Sequence, residues 1–183
     1  MNPWEALAAL CGLANMALLA RRSVWNFPFG MAMVLIFAGL FLASRLYAVA
    51  ALQLFFFAAQ AHGLWAWRRA GADAGATAIR SLPRRRWLPA LLAGLALSAL
   101  LGLGLARTDA AAPWVDGPVA AWSVVAQLLT NGRYVESWPL WVGINIASVA
   151  LYAGQALWIT AGLYGVFLAL ALWSWRAWGK AAT

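Results

Sequence analysis

Seven apolar segments, each long enough to form a membrane-spanning helix, cover most of this sequence. They run at about 4–20, 25–43, 46–67, 87–106, 114–131, 137–153 and 157–175, and charged residues, Pro and Gly separate them. A spanning helix needs about 20 mostly apolar residues. Of the 183 residues, 65% are hydrophobic and 10% are charged, which is more apolar surface than a soluble domain of this length buries. The sequence therefore predicts an all-α integral membrane protein with seven transmembrane helices.

Basic residues are distributed unequally between the two sides of these segments. One side receives eleven, namely Arg21, Arg22, Arg68, Arg69, Arg80, Arg84, Arg85, Arg86, Arg133, Arg176 and Lys180. The other side receives Arg45 and Arg107. Because cytoplasmic loops carry the excess of Lys and Arg, the N-terminus is predicted outside and the C-terminus in the cytoplasm. The net charge of +8 is spread over short loops with no basic face, so we expect membrane lipid and no nucleic acid as a partner.

An internal repeat is indicated when the chain is aligned with itself at an offset of 111 residues. The pairs that then coincide include Arg22 and Arg133, Pro28 and Pro139, and Trp67 and Trp178. The repeat unit is three helices, and an extra crossing is needed if both copies are to point the same way. We expect parallel repeats in a three-plus-one-plus-three plan. The predicted divisions are a first repeat over 1–67, a basic cytoplasmic linker and connector helix over 68–110, and a second repeat over 111–183.

Polar residues in the sixth segment follow one another at steps of three and four, which places them on one helix face. They are Trp138, Trp141, Asn145, Ser148 and Tyr152. Polar groups within a bilayer are costly unless they find partners or line a watery cavity. Each could separately serve in helix packing, as Asn and Ser commonly do. Two indoles beside an amide, however, suit a planar, heteroaromatic, hydroxylated solute.

Other predicted helices also carry uncharged hydrogen-bonding groups. The first offers Asn15, the third Gln53 and Gln60, the fifth Ser123 and Gln127, and the seventh Thr160 and Tyr164. The five acidic residues all fall in loops or at helix ends. Proton- or sodium-coupled carriers usually have ionisable groups within the membrane, so the pattern favours a passive facilitator.

Enzymatic and cofactor chemistry find little support in the sequence. There is one cysteine, Cys11, and one histidine, His62, and there is no phosphate-binding loop. We therefore expect no metal site, no cofactor and no catalytic residues. A membrane enzyme would need an acid, a base, a metal cluster or a nucleophile pair at one depth. A seven-helix ligand sensor, the other alternative, would normally carry a signalling domain or a cytoplasmic tail longer than RAWGKAAT.

Three stretches resemble the PnuC family of bacterial vitamin transporters. They are RRSVWNFPFG after the first helix, RLYAVAALQ opening the third, and ESWPLWVGIN with its W-x-x-W-x-x-x-N pattern in the sixth. The resemblance, which runs from about Asn15 to Trp178, implies a helix bundle with the plan of SWEET sugar transporters. It also implies facilitated diffusion of nicotinamide riboside, a precursor for NAD biosynthesis, across the bacterial inner membrane. A cytoplasmic kinase would trap the solute, and the protein would be a homo-oligomer, by analogy a trimer.

The same resemblance identifies solute-binding residues. Trp138, Trp141 and Asn145 match the family's sixth-helix motif, and Gln53 matches a glutamine of its third helix. The full predicted set is Trp138, Trp141, Asn145, Gln53, Gln127, Tyr164, Asn15, Tyr152 and Thr160. His62 stands where relatives carry an aromatic residue, usually Tyr. Because of this departure, thiamine, riboflavin and deoxynucleosides remain alternative substrates for a protein with the same fold.

Overall fold

The structure, a computed structural model, describes residues 3–43, 47–69, 78–108, 113–154 and 158–182. These residues form seven helices, α1 (Pro3–Ala20), α2 (Asn26–Ala43), α3 (Tyr47–Arg69), α4 (Arg84–Leu105), α5 (Pro113–Asn131), α6 (Ser137–Gly154) and α7 (Trp158–Gly179). Each predicted span overlaps one of them, so the all-α fold of seven helices is confirmed. Within the described ranges, β-structure is limited to two isolated bridges.

The start of α4 differs from the sequence prediction. The span was expected to begin at residue 87, but the helix begins at Arg84, directly after Pro83. Pro83 has φ −57° and ψ 136°, an extended conformation in which proline is commonly found before a helix. The three arginines of the first turn are exposed, so the backbone becomes helical while the charges stay at the surface.

The chain divides into two compact units. The first comprises Met1–Ala78 and Asn131–Arg133, and the second comprises Ile79–Thr130 and Tyr134–Thr183. The first unit therefore contains α1, α2 and α3, and the second contains α4, α6, α7 and all but the last residue of α5. The finer division into 1–67, 68–110 and 111–183 stays a prediction.

Asn131, the last residue of α5, forms two hydrogen bonds with α3 within the first unit. Its Nδ2 donates a hydrogen bond to the carbonyl oxygen of Ala59 at 2.5 Å, and its own carbonyl oxygen accepts one from Trp67 Nε1 at 3.2 Å. Gly63 leaves the room for this contact, because a Cβ at that position would lie 2.6 Å from Asn131 Oδ1. The first unit is thus completed by a residue that lies far along the chain from α1–α3.

The turns that follow α1 and α5 have the same geometry at the predicted 111-residue offset. Arg22 has φ 58° and Arg133 has φ 62°, in the left-handed region that non-glycine residues seldom adopt. The next amides, of Ser23 and Tyr134, each donate to the carbonyl oxygen five residues earlier at 3.0 Å. An unusual conformation at two equivalent residues supports the duplication predicted from the sequence.

An aromatic pair also recurs at this offset. Phe27 of α2 meets Trp67 of α3 edge to face, with ring centroids 5.1 Å apart and an interplanar angle of 88°. Trp138 of α6 meets Trp178 of α7 in the same way, at 5.3 Å and 84°. All four side chains are fully buried. Edge-to-face contact is a preferred arrangement of aromatic rings, so the pair stabilises the packing of each helix couple.

Glycines bring α4 and α5 into close contact in the second unit. A Cβ at Gly94 would lie 2.6 Å from the ring of Trp122, and one at Gly117 would lie 2.7 Å from the backbone nitrogen of Gly102. Gly94 and Gly102 are the buried residues of α4. Its one hydroxyl, on Ser98, donates to the carbonyl oxygen of Gly94 at 2.7 Å, so it is satisfied within the helix.

Beyond the three arginines of its first turn, the exposed surface of α4 is mostly apolar. Its exposed leucines are Leu88, Leu91, Leu92, Leu95, Leu100 and Leu103. In the described part of the chain, Arg84–Leu105 is the helix long and apolar enough to cross a membrane, while Ala6–Ala20 and Asn26–Gly39 are shorter apolar stretches. A leucine surface of this kind is suited to contact with lipid acyl chains.

The segment before α4, residues 78–83, is fastened to the turn between α5 and α6. Ile79 and Leu82 are buried, and the Leu82 amide donates to Glu136 Oε2 at 2.9 Å. The Val135 amide donates to the carbonyl oxygen of Arg80 at 3.1 Å. We call residues 78–83 the strap. The sequence predicted a plain linker here, and the structure shows that its end holds the start of α6.

Candidate functional site

The polar stripe of α6 lies on the inward side of the helix. Trp138, Asn145 and Ser148 are buried, and Trp141 is half-buried. Gly143 and Ile146, on other faces, are exposed. The spacing of three and four thus predicted correctly which side chains share a face, and that face turns away from the lipid-exposed surface.

Trp138 occupies the first turn of α6 and packs against Trp178. Its side chain is fully buried, yet its Nε1–H has no hydrogen-bond partner among the described residues. A buried donor without a partner costs about 1–3 kcal/mol. The indole therefore combines a fixed ring with an available donor. Complete burial against another indole is not how residues of an interfacial aromatic belt lie.

Trp141 is oriented by a threonine of the preceding helix. Its Nε1 donates to Thr130 Oγ1 at 3.1 Å, and that hydroxyl in turn donates to the carbonyl oxygen of Ala126 at 2.9 Å. Thr130 is 1% exposed. This hydrogen bond uses the N–H of the indole. The two faces of the indole ring remain available for contact with an apolar or aromatic group. Thr130 is absent from the predicted set, although it lies three residues after Gln127 on the same face of α5.

Asn145 lies two turns into α6 with its amide nitrogen unused. The side chain is 3% exposed, and Nδ2 has no partner within the described chain. Gln127 of α5, another predicted residue, is also buried. Carboxamide donors at this depth are costly unless a partner is supplied, so the Asn145 nitrogen is available to a bound solute.

Tyr164 of α7 is half-buried and meets Phe167 edge to face at a centroid distance of 5.8 Å. Two further predicted residues, Tyr152 and Thr160, lie outside the described side chains. The second unit thus brings the predicted Trp141 together with Thr130, and it places Trp138, Asn145 and Gln127 in its interior.

The first unit contains the remaining predicted residues, Asn15 and Gln53. Asn15 is buried and its Nδ2 donates to the carbonyl oxygen of Asn26 at 2.8 Å. Gln53 is half-buried. Gln60, two turns further along α3, is 6% exposed and its Oε1 has no partner in the described structure. Gln53 and Gln60 are seven residues apart, which places them on one face of α3, and the second is the more deeply buried.

His62, the departure from the family pattern, is exposed on α3 beside the ring of Trp65, at a centroid distance of 5.9 Å. It is therefore placed at the surface of the first unit and not among its buried amides. Within the described ranges, no three His, Cys, Asp or Glu residues come together in a way that could hold a metal ion.

A shallow groove of about 210 Å³ lies between α5 and α6 on the side opposite the polar stripe. Pro118, Val119, Gly143 and Ile144 contribute to its mostly apolar lining. Because it lacks the amides and indole nitrogens described above, we place no polar solute there.

Comparisons with known proteins all identify transporters of small molecules. The family model described as nicotinamide mononucleotide transporter matches residues 2–180. The chain is 30% identical to the nicotinamide riboside transporter PnuC of Escherichia coli (strain K12), over 97% of this chain and 85% of the relative. It is 26% identical to the riboflavin/roseoflavin transporter RibM of Streptomyces davaonensis, over 95% of this chain and 83% of that protein.

A solved structure is similar over nearly the whole chain. The crystal structure of the vitamin B3 transporter PnuC superimposes with a TM-score of 0.79 at 25% sequence identity, covering 98% of this chain and 83% of that one. The similarity therefore extends through all seven helices.

Proposed function

The chain belongs to the nicotinamide mononucleotide transporter family, and on that premise we propose that it carries nicotinamide riboside across the bacterial inner membrane. The family and the relatives named above are membrane transporters and not enzymes. Transport as such follows from membership. The identity of the solute, the energy source and the orientation in the membrane are parts of the proposal.

The observation that carries the choice of solute is the polar face of α6. Trp138 Nε1 and Asn145 Nδ2 are buried donors that have no partner among the described residues, and the Trp141 ring is held by Thr130. Nicotinamide riboside has a cationic aromatic ring, a carboxamide and a ribose. Indole faces attract such a ring by stacking and cation–π contact, and the two donors can each serve a carbonyl or hydroxyl oxygen. Gln53, Gln127, Tyr164, Asn15, Tyr152 and Thr160 remain proposed contributors.

We propose uniport as the mechanism. Every polar side chain that is buried in the described residues is an uncharged Asn, Gln, Ser or Thr. Coupling to a proton or sodium gradient usually relies on ionisable groups at membrane depth. Net uptake would then require removal of free solute inside the cell, which phosphorylation by a cytoplasmic kinase would provide.

We also propose that the N-terminus is outside, that the C-terminus is cytoplasmic, and that the protein forms a homo-oligomer, by analogy a trimer.

Uptake by proteoliposomes tests solute and mechanism together. Purified protein is reconstituted, and entry of labelled nicotinamide riboside, thiamine, riboflavin and a deoxynucleoside is measured with and without ionophores that collapse proton and sodium gradients. Because nicotinamide riboside is a cation, the membrane potential is held at zero throughout. Under this condition we expect nicotinamide riboside to equilibrate and the ionophores to have no effect. Accumulation above equilibrium that an ionophore abolishes would then contradict uniport. Binding without entry would show a sensor instead.

A variant of Asn145 tests the site separately from the function. Asn145→Ala removes the unpaired donor, and we expect affinity to fall by about 5- to 150-fold, the range for losing a partner of a buried polar group. Ser98→Ala is the matched control, because its hydroxyl bonds only within α4. Wild-type affinity in Asn145→Ala would show that this amide serves helix packing.

Riboflavin is the second candidate, because the match to RibM covers 95% of the chain. The isoalloxazine ring of riboflavin is wider than nicotinamide and uncharged, so it would gain stacking but no cation–π attraction. Uptake of riboflavin in preference to nicotinamide riboside in the same panel would decide for it.

A further inference from the structure

One residue from each helix of the first unit contributes to a cluster of amides. Asn15 of α1 and Gln60 of α3 lie over Gly30 of α2. A Cβ placed on Gly30 would be 2.5 Å from Gln60 Nε2 and 2.8 Å from Asn15 Nδ2. The missing side chain of Gly30 therefore provides the space in which the two carboxamides lie. We call Asn15, Gly30 and Gln60 the amide cluster.

The two carboxamides of the cluster differ in their hydrogen bonding. The Asn15 nitrogen is engaged by the carbonyl oxygen of Asn26, which fixes that side chain. Gln60 Oε1 is fully buried and has no partner in the described structure, and its side chain is 6% exposed. A buried acceptor in this state is unfavourable, so the folded protein alone does not account for it.

The internal repeat shows that the fold does not require this cluster. At the 111-residue offset, the counterparts of its members are Ala126, Trp141 and Ala171. Both alanines are fully buried, so the second unit packs the equivalent helices with methyl groups where the first has carboxamides. An indole likewise replaces the glycine. The amide cluster is therefore a specific feature of the first unit and not a packing element common to both.

We propose that Gln60 Oε1 is a solute-binding acceptor, which receives a hydrogen bond from an O–H or N–H group of the transported molecule. Gly30 permits this by leaving the carboxamide its space. The inference rests on the proposed function for the solute, and it adds a residue that neither the motif of α6 nor the predicted set contains. A ribose hydroxyl or the carboxamide N–H of nicotinamide riboside has the required chemistry.

Two variants of Gln60 separate binding from folding. Gln60→Met keeps the length and removes the acceptor, whereas Gln60→Glu keeps an acceptor oxygen. Ser98→Ala is again the control. Melting of each purified variant is first followed without solute. Because Oε1 has no partner there, we expect Gln60→Met to melt at the wild-type temperature or above it. A fall of about 4 °C or more, which corresponds to over 1 kcal/mol for a chain of this size, would mean a structural carboxamide and overturn the proposal.

Affinities are then measured by calorimetry for nicotinamide riboside, for its 2′-, 3′- and 5′-deoxy analogues, and for the analogue with a carboxylate in place of the carboxamide. We expect Gln60→Met to weaken binding of nicotinamide riboside by about 5- to 150-fold. One of these analogues lacks the O–H or N–H group that donates the hydrogen bond to Gln60. That analogue should bind wild type and Gln60→Met with equal affinity, as a double-mutant cycle requires of a direct contact. Gln60→Glu should retain the wild-type ranking of nicotinamide riboside and its three deoxy analogues, because these four compounds carry the same charge.

The outcomes are distinct. Equal affinity of wild type and Gln60→Met for every compound, or one uniform loss for all of them, overturns the role of Gln60 while leaving the proposed function standing. A changed ranking of nicotinamide riboside and its three deoxy analogues in Gln60→Glu also overturns it. If wild type binds none of these compounds, the proposed solute is wrong and the inference falls with it.

Discussion

The hydrogen bond between Trp141 and Thr130 gives a sharp test of how the site is built. Thr130→Val replaces the hydroxyl by a methyl group of similar size at a position that is 1% exposed. Two bonds are lost, the one that Thr130 accepts from Trp141 Nε1 at 3.1 Å and the one that it donates to Ala126 at 2.9 Å. The Ala126 carbonyl keeps its helical partner, so the important loss is the one at the indole.

The magnitude follows from what remains after the substitution. A neutral hydrogen bond contributes about 0.5–1.5 kcal/mol, and a buried donor left unpaired costs about 1–3 kcal/mol. Trp141 is only half-buried, so we expect the lower part of this range, about 1–2 kcal/mol. If the indole must hold this orientation to contact solute, affinity falls by about 5- to 30-fold.

Binding calorimetry with nicotinamide riboside measures the loss, and the indole N–H resonance of Trp141, assigned by comparison with Trp141→Phe, reports the bond itself. Thr130→Ser is the matched control, because it keeps the hydroxyl and removes only a methyl group. The reasoning is refuted if the resonance and the affinity of Thr130→Val both match wild type. An equal loss in Thr130→Ser would attribute the effect to packing and not to the hydrogen bond.

Three further predictions concern other parts of the protein. Gly117→Ala places a Cβ 2.7 Å from the backbone nitrogen of Gly102, so we expect the free energy of unfolding to fall by about 1–3 kcal/mol. The control Gly165→Ala, which meets nothing within 4 Å, should raise it by up to about 1 kcal/mol through helix propensity. Equal melting temperatures of the two variants would refute the close packing. Glu136→Ala should speed hydrogen exchange of the Leu82 amide by about 10- to 150-fold, because it removes a charged acceptor worth about 1.5–3 kcal/mol; Glu136→Gln, which keeps a neutral acceptor, should give a smaller increase. A fluorescent protein fused to the C-terminus should fluoresce and a phosphatase fusion should be inactive, since positive-inside topology puts this end in the cytoplasm; the reverse result would invert the proposed orientation.

Much of the fold was predictable because hydropathy and chain breaks act locally. Six of the seven helices begin within two residues of the predicted starts. The exception, α4, begins at Arg84 because a surface helix tolerates arginines in its first turn, which a hydropathy pattern excludes from a span. The strap was missed for a related reason. Ile79 and Leu82 are two apolar residues in a polar segment, and only tertiary contact with the start of α6 shows that they are buried.

The candidate site was predictable as a face but not as a set of contacts. Steps of three and four fix which side chains of α6 point the same way, so spacing placed Trp141 and Asn145 on one face, and the resemblance to the family's sixth-helix motif supplied their expected role. The acceptor on Thr130 comes from a different helix, and its distance depends on how α5 and α6 pack. Gln53 and Gln60 share a face of α3, yet depth along that face is a tertiary property, and the more buried glutamine was left out of the predicted set.

The position of Asn131 has a consequence for how the protein is made. Its side chain and carbonyl group hold Ala59 and Trp67, but it is encoded about 60 residues after the end of α3 at Arg69. A ribosome adding roughly 5–20 residues per second needs about 3–12 s to cover that distance. Throughout this interval the three leading helices can enter the bilayer, but they lack their hydrogen bonds with Asn131. Maturation of the front half therefore waits for the back half to be translated, and a chain released early leaves the indole of Trp67 without the acceptor it bonds in the finished protein.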